Sequence, residues 1–171
     1  MSYFKKYKFD KSQFKLGMRT FKTGIAVFLV LLIGWKGLQI GALTAVFSLR
    51  ESFDESVHFG TSRILGNSIG GLYALVFFLL NTFFHEAFWV TLVVVPICTM
   101  LTIMTNVAMN NKAGVIGGVA AMLIITLSIP SGETISYVFV RVSETFMGVF
   151  VAIIVNYDID RIRLFLEKKE K

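Results

Sequence analysis

The chain has 171 residues, 55% hydrophobic and 16% charged, with a formal net charge of +6 and a mean hydropathy of +0.70. Soluble domains run near 45–50% apolar and about 25% charged, so the composition argues against a soluble enzyme, a disordered tail or a secreted disulfide scaffold. The basic excess stands at the ends of apolar runs, where membrane topology uses it, which argues against nucleic acid as a partner.

In chain order, residues 1–19 form a basic segment, and the amino-terminal stretch carries Phe4, Tyr7, Phe14, Met18 and Phe21 near helical spacing. It reads equally as a helix lying on an anionic leaflet or as a flexible tail that sets topology. Apolar runs follow over Thr20 to Trp35, Leu38 to Leu49, Ile64 to Phe84, Ala87 to Thr105, Ala113 to Ile129 and Ile135 to Tyr157. Runs in lipid read as helices, because the backbone must satisfy its own hydrogen bonds there. The first is expected to be an uncleaved span. The second is short for a hydrocarbon core of about 30 Å and must be shielded by neighbours, thin the bilayer or extend through Arg50. Ser52-Phe53-Asp54-Glu55 matches a capping box, so a helix starting there runs on into the third span. Pro96 predicts a kink in the fourth run, and Pro130 to Glu133 stops the fifth.

The expected fold class is therefore an all-α membrane protein of six transmembrane helices. It divides into the 1–19 segment, a membrane domain over 20–157 and a charged cytoplasmic tail over 158–171. Six spans place both termini on one side. That side then collects 15 of the 17 basic residues, leaving Lys36 and Arg141 opposite. By the positive-inside rule the termini are cytoplasmic, and Trp35, Trp89 and Tyr137 fall at the outer interface.

An internal repeat is also visible. Gly37 and Gly41 return in spacing as Gly114 and Gly118, and Arg63 and Gly70 return as Arg141 and Gly148. Spans two and three thus resemble five and six. A unit of three spans is odd, so its two copies cross in opposite senses, giving an inverted repeat of two three-helix units. Gly37, Gly41, Gly66, Gly70, Gly114 and Gly118 are the candidate helix-packing positions, since small residues let backbones approach.

Candidate pathway residues are the ionisable and polar groups within or beside the spans. Arg141 and Glu144 are three apart on one face of the sixth span and can pair. An ionisable group inside a span usually faces a bundle interior or cavity, although Arg141 also has the option of snorkelling outward. Arg63 is its counterpart in the first repeat, and Arg19 and Lys22 stand at the inner mouth of the first span. Basic groups at both ends of a pathway favour anions. Thr44, Ser48, Asn67 and Ser68 offer hydrogen bonds to a carboxylate or to a neighbouring helix. The sequence offers no Ser-His-Asp grouping, metal-ligand set or phosphate loop, so no catalytic residue, cofactor or metal is expected.

The block Gly41-Ala42-Leu43-Thr44-Ala45-Val46-Phe47-Ser48, followed by Arg63-Ile64-Leu65-Gly66-Asn67-Ser68-Ile69-Gly70-Gly71, resembles the small-x-Thr and Arg-x-x-Gly-x-x-x-Gly signature of the aromatic acid exporter family. This is also called the fusaric acid resistance-like superfamily, and plant aluminium-activated malate channels carry a similar block. The resemblance implies a six-helix domain that dimerises and passes organic anions, with Arg63 facing the anion. Two departures stand out: Asn67 occupies a position where family members often have Thr, and most members carry a cytosolic domain after the sixth span.

Together these readings predict a homodimeric transporter or channel in a bacterial cell membrane, in contact with lipid and exporting small organic, aromatic carboxylates. The alternatives are a non-transporting membrane subunit or scaffold of a larger complex and, further off, a holin-like pore.

Overall fold

The computed structural model describes residues 16–34, 39–128 and 135–169. The segment before residue 16, the Trp35 to Gly37 turn and the Pro130 stop lie outside the described residues. Six helices follow in order: α1 (Met18–Gly34), α2 (Gln39–Ser48), α3 (Phe53–Phe83), α4 (Phe88–Ala108), α5 (Val115–Leu127) and α6 (Ile135–Lys169), with no strand among the described residues. A 3₁₀ turn, Lys112–Gly114, leads into α5.

Among the described residues three helices are long and apolar enough to cross a membrane: α3, α4 and the Ile135–Ile159 part of α6. The others are shorter, with 17 residues in α1, 10 in α2 and 13 in α5. At 1.5 Å per residue α2 reaches about 15 Å, half the hydrocarbon thickness. The two shortest helices lean on the two longest, α2 on α6 and α5 on α3, so neighbouring protein shields part of their backbones.

α3 begins at Phe53, well before its apolar run. The Ser52 side chain accepts from the Glu55 N–H, and Asp54 and Glu55 occupy the first turn, where carboxylates favour the helix dipole. Its buried stripe is Ser56, Gly60, Arg63, Asn67, Gly70, Ala74 and Phe77, alternating four and three apart as in coiled-coil seams. α6 runs on past its apolar part, and residues 158–169 of the charged stretch continue the helix. Lys, Arg, Glu and Leu are good helix formers, and a helix leaving a membrane can carry them in water.

Glycines bring the helix backbones together. A Cβ on Gly66 would collide with the Gly114 carbonyl, and one on Gly70 with the Gly118 carbonyl, so α3 and α5 touch through bare backbone. α6 meets α2 in the same way, Gly148 against the Gly41 carbonyl. Gly66, Gly70, Gly114, Gly118 and Gly41 thus lie where helix backbones touch; Gly37 lies outside the described residues. α3 and α6 cross antiparallel, because Gly60 faces Val149 and Ile153 while Gly71 faces Val142.

Two apolar clusters lie on either side of this crossing. One joins Ile40, Ala74, Phe77, Val95, Cys98, Met122, Ile125 and Val138. The other joins Ala26, Val30, Ala45, Leu49, Val151, Ala152 and Val155. The outward faces are apolar as well: Phe28, Val46, Leu72, Leu92, Ile116 and Phe139, one from each helix, are all exposed. Apolar surface on every helix of a bundle far exceeds what a soluble monomer tolerates; lipid is the medium that suits it.

The α3–α4 turn holds two consecutive non-glycine residues in the left-handed region, His85 at φ 54° and Glu86 at φ 58°. Each costs about 1 kcal/mol relative to glycine there. His85→Gly should therefore raise stability by about 0.5–1 kcal/mol after the entropy of the unfolded glycine is subtracted. A rise of the thermal midpoint in detergent checks this; a fall would mean that the His85 side chain holds the turn.

Candidate functional site

Buried polar groups form three layers along the bundle. At the start of α3, the Lys22 ammonium, 2% exposed, donates to Asn156 Oδ1 at 2.7 Å. The Asn156 amide donates in turn to the Ser52 carbonyl and to Ser56 Oγ, both at 2.8 Å, and Ser56 Oγ also accepts the Arg50 N–H at 2.8 Å. One asparagine thus ties α1, α3 and α6 together. Position in the sequence puts Lys22 at a mouth; its bonding makes it a latch between helices. Asn156→Ala is expected to cost about 2–3 kcal/mol, because it removes one partner of a buried ammonium together with the amide donor to the Ser52 carbonyl and Ser56 Oγ. Chemical or thermal unfolding of the variant in micelles measures it, and a cost below about 0.5 kcal/mol, the range of ordinary surface changes, would show that Lys22 has compensating contacts.

The middle layer is the crossing of α3 with α6. Asn67 Nδ2 donates to Thr145 Oγ1 at 2.9 Å, and both residues are buried. One turn before Asn67 stands Arg63, 6% exposed. Its guanidinium lies under the Phe47 ring of α2, 4.4 Å from the centroid. A Cβ on Gly117 of α5 would collide with the Arg63 guanidinium and crowd Asn67, so this glycine makes the space that both side chains occupy. Arg63 Nε, Asn67 Oδ1 and Ser48 Oγ are buried without a hydrogen-bond partner among the described residues. Thr44 is buried beside Gly148.

In the third layer, Arg141 Nη1 donates to Glu144 Oε1 at 2.8 Å. Glu144 Oε2 accepts the Ile40 N–H at 3.2 Å, in the first turn of α2, where a carboxylate also favours the helix dipole. The predicted pairing of these residues is therefore present, and it carries a capping role that spacing alone does not reveal. Glu144 borders a groove of about 440 Å³ with Ser136, Phe139, Val140, Ser143 and Met147. Arg63 is not part of that groove. Arg63 and Arg141 each stand four residues before the Asn67–Thr145 contact on antiparallel helices, so they are separated by about 12 Å along the axis and do not meet.

A cleft of about 370 Å³ at the start of α3 is lined by Arg19, Arg50, Glu51, Glu55 and Phe59. Arg50 stacks on Phe59, 3.8 Å from the ring centroid. Among the described residues no group of His, Cys, Asp and Glu is placed to hold a metal ion.

Sequence reasoning missed Asn156, Thr145 and the pair Asn106 and Asn111. Asn111 Nδ2 donates to Asn106 Oδ1 at 2.9 Å and to the Ser62 carbonyl at 3.0 Å, tying the α4–α5 turn to α3. An amide inside an apolar run was the available signal for Asn156. For Thr145 it was the 78-residue step from Asn67.

A family model, aromatic acid exporter family member 1, matches residues 14–159, which cover all three polar layers. The chain belongs to the aromatic acid exporter family. Among curated relatives, this exporter-family chain is 29% identical over 147 residues to the UPF0421 protein YgaE of Bacillus subtilis (strain 168), which covers 83% of the chain and 39% of the relative. It is 29% identical over 149 residues to UPF0421 proteins of Bacillus thuringiensis (strain Al Hakam) and Bacillus cereus (strain ATCC 10987 / NRS 248), with 83% of the chain and 39% of each relative covered. The chain thus spans about two fifths of the length of these relatives. No solved structure matches it significantly.

Proposed function

We propose that this member of the aromatic acid exporter family is a transporter or channel that exports organic, aromatic carboxylate anions across a bacterial cell membrane, as a homodimer with both termini cytoplasmic. The observation that carries the reading is Arg63, a residue 6% exposed within a membrane-length helix, with no acceptor for its Nε–H and no carboxylate paired with it among the described residues. Such a group is costly in a membrane interior and usually serves a pathway. Thr44, Ser48 and Asn67 line the same part of the bundle, and the Arg141–Glu144 pair stands toward the outer end.

The reading includes six spans in two inverted units, α1–α3 and α4–α6. Its support is reciprocity. A step of 77 or 78 residues carries Gly41 to Gly118 and Gly70 to Gly148, so the contact of Gly70 with Gly118 answers that of Gly148 with Gly41. The same step carries Asn67 to Thr145, its own bonding partner. Helix neighbours correspond too, α3 with α5 and α6 with α2. Residues equivalent by a two-fold axis meet each other on that axis, and an inverted repeat puts such an axis in the membrane plane.

An inside-negative potential favours the exit of a monovalent anion by about 2.3 kcal/mol per 100 mV, so no ATPase is needed. In liposomes, a potassium-diffusion potential should drive benzoate flux through the protein, and Arg63→Gln should reduce that flux at least about tenfold, the loss expected when a charged hydrogen bond to an anion disappears. Absence of flux through the wild type, with a stoichiometric protein partner on purification, would favour the subunit or scaffold reading instead.

A further inference from the structure

We propose that the cleft at the start of α3 binds the headgroup of a zwitterionic phospholipid with a primary ammonium, phosphatidylethanolamine, one molecule per chain. The site is separate from the polar layers inside the bundle, and the inference goes beyond the transport reading without depending on it.

The cleft, of about 370 Å³, gathers charges of both signs from three stretches of the chain. Arg19 comes from the first turn of α1, Arg50 and Glu51 from the α2–α3 connection, and Glu55 from the first turn of α3. Two cations and two carboxylates thus border one cleft, yet no ion pair joins them among the described residues. A free phosphate or carboxylate entering here would meet Glu51 and Glu55 as well as the arginines, and like charges brought together work against it. A ligand that carries both signs a few bonds apart complements the whole lining.

Arg50 is the fixed point of the site. Its guanidinium stacks on Phe59, 3.8 Å from the ring centroid, so its plane is held without a carboxylate. Its Nε is buried with no acceptor, and its terminal nitrogens make no hydrogen bond among the described residues. Those terminal nitrogens can take two phosphate oxygens in the planar fork that suits arginine. Arg19, exposed on α1, supplies the second cation. Glu51 and Glu55, both exposed, can accept N–H bonds from a primary ammonium. A quaternary ammonium has no N–H to give and needs an open aromatic face, whereas Phe59 already has Arg50 over its ring. Location favours a lipid over a free headgroup. The cleft lies just before the apolar run of α3, at the edge of the apolar surface. Leu43, Val46 and Phe47 are all exposed, share one face of α2 by helical spacing and end one turn before Arg50. Acyl chains can follow them away from the headgroup.

Native mass spectrometry of the delipidated protein in detergent, titrated with single lipids, tests this. Phosphatidylethanolamine should bind as one molecule per chain, at least about tenfold more tightly than phosphatidylglycerol or phosphatidylcholine, the difference expected for one charge-assisted hydrogen bond. Arg50→Gln should weaken its binding about tenfold. The double variant E51Q/E55Q should turn the preference toward phosphatidylglycerol, because the cleft then holds two arginines and no carboxylate. Both glutamates are exposed, so this variant folds and decides the matter if R50Q does not. Phosphatidylglycerol or phosphatidylcholine binding the wild type as tightly as phosphatidylethanolamine, or a preference that E51Q/E55Q leaves unmoved, overturns the proposal. Soluble phosphoethanolamine in excess should leave the bound lipid in place; displacement would assign the cleft to a free zwitterion and overturn the lipid.

Discussion

Glu144→Ala should destabilise the bundle by about 3 kcal/mol, the lower end of the range for removing one partner of a buried ion pair. The carboxylate is 3% exposed and serves two helices at once. One oxygen accepts from Arg141 and the other from the Ile40 N–H of α2. Alanine leaves the guanidinium without this anion and opens the start of the shortest helix. The estimate sits at the lower end because the Arg141 side chain is 19% exposed and can extend along its apolar stem toward the interface. For a chain of this size about 3 kcal/mol lowers the thermal midpoint by about 6–12 °C. Removing the cation as well, in R141A/E144A, should recover part of the loss, since no uncompensated charge then remains. A midpoint within about 2 °C of the wild type for E144A would show that the pair is solvated in the micelle and contributes little, as surface pairs do.

Gly70→Val should be as damaging, for a steric reason. Its first added carbon would already collide with the Gly118 carbonyl, and a backbone carbonyl cannot rotate away as a side chain does. The whole of α5 must move, which also disturbs the contact of Gly66 with Gly114 one turn away. Overpacking a core costs about 1–3 kcal/mol, and a backbone obstacle puts this substitution at or above the upper value. Gly148→Val should behave alike at the α6–α2 contact, where the obstacle is the Gly41 carbonyl. Gly24→Ala is the control: nothing lies within 4 Å of its added carbon, and helix propensity alone should then stabilise α1 by up to about 1 kcal/mol. Size-exclusion profiles and thermal unfolding in detergent distinguish the cases. A G70V protein as stable as G24A would mean that α3 and α5 slide past one another freely.

The site is partly legible in the sequence. Arg63, Asn67 and Thr44 lie in the motif block, and Arg141 with Glu144 follow the i, i+3 rule, so local spacing is enough to nominate them. That Arg63 and Arg141 keep apart is not legible, because their separation depends on where α3 crosses α6. Lys22 reads as a mouth residue since it stands at the start of an apolar run; its burial comes from Asn156, 134 positions away, which no window along the chain connects to it.

By itself the sequence determined what short-range physics governs: helices wherever apolar runs exceed two turns, the Ser52 cap of α3, the Arg141–Glu144 pair and a family block that names the architecture. Lipid demands internally bonded backbone, and helical periodicity reports that demand within a few residues. Only the tertiary structure decided which glycines abut, that α2 and α5 are sheltered by longer neighbours, that α6 runs on through the charged stretch, and that the second oxygen of Glu144 holds the start of α2. Those outcomes belong to contacts between helices far apart in the chain, where close packing, rather than local preference, selects the partner.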